Sequence, residues 1–178
     1  MQEGEAISRL KRGDIGGLER LVQLYQVQAL QVAYLTTRDY SVAEDVVQSS
    51  FLRAYERIAR FDSTRPFGPW FLRSVINSAL TAVTGRRVLS LDAEGSEESA
   101  LPSPDLGLQE MLEAAETKEE ILDALDRLSP VQRAAIVMHY YLDWSHAEVS
   151  QKLLVPEGTV RRRLHDARKR LKRLLPTY

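Results

Sequence analysis

The chain of 178 residues contains no cysteine. That excludes disulfides, thiolate catalysis and cysteine-ligated zinc, and it fits a reducing compartment. Its three histidines, His139, His146 and His165, fall in no metal-ligand spacing. No glycine-rich phosphate loop follows a strand-like run, and no serine sits in a nucleophile elbow. The pattern therefore predicts no enzyme, no metal and no cofactor. Long hydrophobic runs are missing too, since the longest apolar stretches fall far short of the ~20 residues that span a bilayer. The first residues, MQEGEAISRLKRGD, place acids where a secretory signal needs an apolar core. A cytoplasmic protein without membrane insertion is expected. Strand-like alternation is also absent, while an apolar fraction of 44% is ordinary for a globular chain.

Charge of one sign is scarce only on average. The net charge of −1 conceals a polarised chain. Residues 1–87 carry 12 basic and 9 acidic side chains, and 88–120 carry 1 basic and 10 acidic. Residues 121–155 hold 3 and 4, and 156–178 hold 8 and 2. The basic tip suits phosphate neutralisation and the acidic middle opposes it, so DNA binding by the free chain is expected to be weak.

The tip is the most informative segment. Val160, Leu164, Ala167, Leu171 and Leu174 recur at helical steps and form one apolar stripe. Between them lie Arg161, Arg162, Arg163, His165, Arg168, Lys169, Arg170, Lys172 and Arg173. Pro156 suits the start of this helix and Pro176 its end. Upstream, Ser129-Pro130 opens a helix to about Leu142. Ser145-His-Ala-Glu148 is a capping box opening a short helix with Val149, Leu153 and Leu154 as inward candidates. Two residues then separate it from the basic helix, which spells a helix-turn-helix with a cationic second helix. A three-helix bundle with a solvated basic face is the plainer alternative.

The acidic middle, VLSLDAEGSEESALPSPDLG, has no helical stripe and reads as a linker over 88–116. A coil of about 20–30 residues spans roughly 25–30 Å on average, and up to ~70–100 Å extended. Order is expected to resume between Leu108 and a capping box at Thr117-Lys-Glu-Glu120. Residues 1–87 read as all-helical. A short helix ends near Gly13, and Asp14 caps a long one carrying Leu18, Leu21, Val22, Tyr25, Ala29, Val32 and Ala33. Ser41-Val-Ala-Glu44 is a third capping box, opening a helix to about Arg60 with Val47, Phe51, Ala54 and Ile58 inward. A loop 61–67 follows, and a last helix runs from about Pro69 to Gly85.

Taken together, AEDVVQSSFLRAYERIARF (43–61), FGPWFLRSVINSAL (67–80) and GTVRRRLHDARKRL (158–171) resemble bacterial RNA polymerase sigma factors of the extracytoplasmic-function type within the sigma-70 family. The resemblance implies an all-α chain of two small helical domains. A region 2 bundle (1–87) and a region 4 helix-turn-helix (117–178) would be joined by the flexible acidic linker. It implies that region 2 binds core RNA polymerase at the clamp of the largest subunit through Asp45, Gln48 and Leu52. Ser49 and Ser50 follow that motif where the family has an acid.

It further implies that the loop and the helix after it capture unpaired promoter bases of the downstream (−10) element and assist melting. Phe61, Arg65, Phe67, Arg73, Asn77, Arg86 and Arg87 are the candidates. Trp70 also matches, although its place on an apolar stripe marks it as core. Pro66, Gly68-Pro69 and Thr81 depart from the family pattern. Region 4 would read the upstream (−35) element of promoter DNA through Thr159, Arg161, Arg162, Arg163, His165, Arg168 and Lys169. Arg161, Arg162 and His165 are placed at base edges, and Arg163, Arg168 and Lys169 at phosphates. Asp166 is expected to pair within the helix. An anti-sigma factor is a plausible partner. The acidic linker would stand in for nucleic acid in the polymerase cleft, or serve as a solubilising tether. Two other readings are a stand-alone helix-turn-helix regulator and a sigma-like decoy that titrates a regulatory partner.

Overall fold

In the computed structural model, residues 3–85 and 118–175 are described. The chain divides into two compact units, residues 1–82 and 83–178. Among the described residues every regular element is helical. The expected domain boundaries near 87 and 117, the linker, the restart between Leu108 and the Thr117 capping box, and Arg86 and Arg87 lie outside the described residues.

The first unit holds α1 (Glu3–Lys11), α2 (Gly16–Thr37), α3 (Tyr40–Arg57) and α4 (Phe67–Thr84). The N-cap of α2 is Ile15, without a side-chain cap bond, and not Asp14, which stands one residue earlier with its carboxylate accepting from the Gly16 N–H at 2.9 Å. The same carboxylate meets Arg9 at 2.6 Å, and this pairing, with the Gly16 bond, holds the Asp14 pKa below its ordinary value. Gly17 lets α1 and α2 close up. A Cβ there would stand 2.3 Å from the Ala6 carbonyl oxygen, a backbone atom that cannot swing aside.

The start of α3 departs from expectation. Arg38 ends α2 in the left-handed conformation, and the extended Asp39, not Ser41, is the N-cap, accepting from Val42 N–H at 3.0 Å. The tight turn pulls Ser41 into the first helical turn, where it no longer has the geometry to cap. The predicted stripe of α3 is buried throughout. It meets an aromatic cluster: Phe51 lies 4.4 Å from Phe71, and Phe67 stacks on Phe71 at 5.5 Å. Each such ring contributes about 1.5–3 kcal/mol by leaving water.

The second unit comprises α5 (Lys118–Asp126), α6 (Pro130–Ile136), α7 (His146–Leu153) and α8 (Glu157–Leu174). Ser129 caps α6 through a reciprocal box with Gln132. Expected to run α-helically to Leu142, α6 instead widens into a π-turn over Val137–Tyr141, closed by Leu142 N–H to the Val137 carbonyl at 3.1 Å. The turn is locked by Trp144 N–H to the Met138 carbonyl at 3.1 Å, and by His139 Nδ1 at 2.7 Å from the Trp144 carbonyl oxygen. Arg133, buried, donates from Nη1 to the Leu128 carbonyl at 3.0 Å, satisfying an acceptor beyond the end of α5.

The Ser145–Glu148 capping box forms as read. Leu154 then takes the left-handed conformation, φ 55°, and is 59% exposed. The expectation that Leu154 might point inward is thereby corrected: reversing the chain in two residues turns it out and places Val155 in the core instead. Leu174 is likewise exposed and Leu175 buried, because the chain leaves the helix there and shifts the apolar phase by one.

Candidate nucleic-acid interface

Helix α8 divides cleanly. Val160, Leu164, Ala167 and Leu171 are buried, while Arg161, Arg162, His165, Lys169, Arg170, Lys172 and Arg173 are exposed and Thr159 and Arg168 are half-buried. The two-residue turn before it is tied by the Ser150 hydroxyl donating to the Val155 carbonyl at 2.7 Å. Arg161, Arg162 and His165 thus share the N-terminal half of an outward face, the part of a recognition helix that meets base edges. Glu157 pairs with Arg161 at 3.1 Å, and Asp166 pairs with Arg162 at 4.0 Å, the intrahelical role expected for it. Both pairs are exposed and therefore weak, so they orient guanidinium groups without committing them.

Arg163 is a correction. Placed at phosphates by position, it is only 8% exposed, because its step along the helix falls beside the apolar stripe rather than opposite it. Burial lowers its pKa, as desolvation of a guanidinium must. A side chain so enclosed offers little of its guanidinium to the surface.

In the first unit, Asp45, Gln48 and Leu52 are all exposed on α3, at steps of three and four, and so lie along one face. Leu52 is 60% exposed, an aliphatic side chain open to water beside two polar ones. Arg53 ties the same helix to α4 by donating to the Ser78 hydroxyl at 2.6 Å.

The loop 61–67 is built differently from expectation. Phe61 and Phe67 are core residues, 5% and 0% exposed, so neither offers a face to a flipped base. Both pack on Trp70, with centroids 4.9 and 5.4 Å away. The apolar rings close the bundle end and leave only 62–66 outside. Asp62 shapes that stretch, accepting from Thr64 N–H at 3.0 Å and from the Thr64 hydroxyl at 2.7 Å, which, with Arg65 nearby, lowers its pKa. Arg65 is exposed and lies 3.4 Å from Asp62.

Trp70, Arg73 and Asn77 are half-buried at steps of three and four on α4, with Thr81 one turn on, donating to the Asn77 carbonyl at 2.8 Å. Trp70 is therefore partly core and partly surface. On the face of α4 that carries Arg73 and Asn77, the aromatic edge comes from Trp70. Two side chains that sequence reasoning did not single out also reach this loop: Lys11 donates to the Phe61 carbonyl at 2.6 Å, and Glu3 accepts from Phe67 N–H at 3.2 Å. No local signal marks them, because their partners stand 50 and 64 residues away.

Among the described residues no group of three or more histidine or carboxylate side chains is placed to hold a metal ion, and no helix is long and apolar enough to cross a membrane.

Residues 21–88 match the family model Sigma-70 region 2, and residues 118–171 match Sigma-70, region 4. The chain is 31% identical over 172 residues to the ECF RNA polymerase sigma-E factor of Haemophilus influenzae, covering 91% of this chain and 89% of that protein. It is 36% identical over 136 residues to the ECF RNA polymerase sigma factor SigL of Mycobacterium tuberculosis, covering 74% and 73%. Its fold is similar to that of the sigma factor RpoE of Bartonella quintana, solved with the anti-sigma factor NepR, with a TM-score of 0.62 at 22% identity over 88% and 94% of the two chains. Two family models in the same order as the two helical units, and relatives matched over most of their length, make this chain a member of the ECF group of sigma-70 RNA polymerase sigma factors.

Proposed function

We propose that this chain binds core RNA polymerase, directs it to promoters carrying upstream and downstream elements, and assists melting at the downstream one. The observation that carries the reading is the division of α8, whose apolar stripe is sealed while Arg161, Arg162 and His165 face outward just after the turn. An arginine in that position pairs bidentately with guanine, and Arg168 and Lys169 further along serve phosphates. The exposed row Asp45, Gln48 and Leu52 is the polymerase contact, with Leu52 as its apolar anchor. Arg65, Arg73, Asn77 and the edge of Trp70 take the downstream bases, and Arg86 and Arg87 are proposed as further DNA contacts.

The domains proposed are 1–87 and 117–178, with the acidic 88–116 between them as a tether toward the polymerase cleft. The factor works in the cytoplasm and has no catalytic activity of its own. Since the Bartonella relative was solved with an anti-sigma factor, a protein of that kind is proposed to hold this chain inactive. Run-off transcription with purified core polymerase tests the whole: promoter-dependent transcripts are expected, and their absence, with no inhibitor present, overturns it.

A further inference from the structure

Helix α1 lies ahead of the segment matched to region 2, residues 21–88, yet two of its side chains hold both ends of the loop 61–67. Lys11 Nζ donates to the carbonyl of Phe61, where the loop begins. Glu3 accepts from the N–H of Phe67, where the loop becomes α4. The same carboxylate accepts from the Tyr25 hydroxyl. The first N–H groups of a helix have no acceptor within it, and Pro69 offers none. The start of α4 is therefore capped by a carboxylate from α1, which the Tyr25 phenol of α2 steadies, and Glu3 sits at the positive end of the α4 dipole.

The cap is held rigidly. Gly17 seats α1 against α2 with no room for a Cβ, as described above. Gly68 brings the helix start against the Tyr25 ring, 2.9 Å from where a Cβ would lie. Between the anchors, 62–66 is exposed and shaped by Asp62. A loop already ordered at its ends loses less freedom on engaging a ligand and tolerates fewer wrong ones.

We propose that Glu3 and Lys11 are positioning residues that hold the loop 61–67 in the shape that discriminates bases of the downstream element, so that α1 is part of the specificity apparatus. The proposal rests on the reading of this loop as the downstream-element reader. Its test uses the full chain with core polymerase on promoter templates randomised at both elements, the transcripts being sequenced. Glu3→Ala and Lys11→Met are each expected to flatten base preference at the downstream element roughly tenfold, as loss of a charge-assisted hydrogen bond implies. Upstream preference and co-elution with core stay as in the parent chain. Glu3→Gln keeps one acceptor oxygen for the Phe67 N–H and turns an amide N–H toward the Tyr25 hydroxyl oxygen, and it retains more of the preference than Glu3→Ala. Hydrogen exchange at Phe67 and Gly68 is expected to quicken in Glu3→Ala, with α2 and α3 unchanged. A parent chain that shows no preference at the downstream element sinks the reading of the loop itself. Preference in the parent that survives both substitutions sinks only the role of α1. Equal loss of all transcripts with preference intact leaves α1 a structural prop, which also overturns the proposal.

Discussion

In the first unit α3 sets the aliphatic Leu52 in water beside Asp45 and Gln48 over a buried aromatic cluster, whereas α8 of the second seals an aliphatic stripe and turns a row of cations outward. The contrast separates two kinds of partner. Exposed aliphatic groups beside a few polar ones suit a protein surface, where affinity comes from a small desolvated centre. A cationic helix suits a polyanion, where affinity comes from counterion release. Whole-chain charge, −1, averages these away.

Substitutions that strike one unit and spare the other can break or sharpen that division. The largest effect is expected from Leu52→Asp, which is set to weaken association with core polymerase by about 2–4 kcal/mol. Retention of a tagged chain on immobilised core measures this, and duplex DNA binding by the variant stays unaltered. Next comes Gly17→Ala, whose methyl meets the Ala6 carbonyl. It is expected to destabilise the first unit by about 3 kcal/mol, seen as an early denaturation step that the second unit does not share.

Arg161→Ala follows, costing about 2 kcal/mol of upstream-element discrimination, while Arg168→Ala lowers affinity evenly over all sequences and flattens its salt dependence. Equal effects of the two across promoters would contradict the assignment of α8. A smaller contrast separates two cations of one helix. Lys169→Ala is expected to reduce the salt slope by about 1, whereas Arg163→Met, at a buried position, leaves it unchanged.

The smallest effect concerns pH. Glu148 is held below its ordinary 4.5 by bonds from the Ser145 backbone and hydroxyl. The capping box therefore contributes fully above that value and fades as the pH falls through the lowered one. Glu148→Gln, which keeps an acceptor, is expected to remove a small, solvent-screened part of the acid sensitivity of the second unit, read as melting temperature at neutral and acid pH. An undiminished acid response would show that the box does not contribute.

Much of this architecture is visible in residue order. The cap at Ser129, the capping box at Ser145 and the stripes of α3 and α8 follow from chemistry between residues within a helical turn or two of each other, and they appear where local spacing puts them. Local reading failed where a competing local choice won, as at Asp39, or where the helix ended, as at Leu174 and Leu175. The site was legible in part. Leu52 and the outward cations of α8 follow from helical phase alone. Phe61, Phe67 and Arg163 did not, because an aromatic or a long cation is equally at home at a surface and in a core, and only its neighbours decide.

Helical periodicity, caps and charge segregation thus determined that this chain makes two all-helical units, with a cationic helix ending the second. Those features arise from interactions over three or four residues, which the order of residues states directly. Tertiary structure decided which aromatic rings close the first bundle, that Trp70 rather than Phe61 or Phe67 offers an edge, and that Glu3 and Lys11 reach the loop from a distant helix. Those outcomes depend on which surfaces meet once the helices pack, and the energy of that meeting is not written in any single segment.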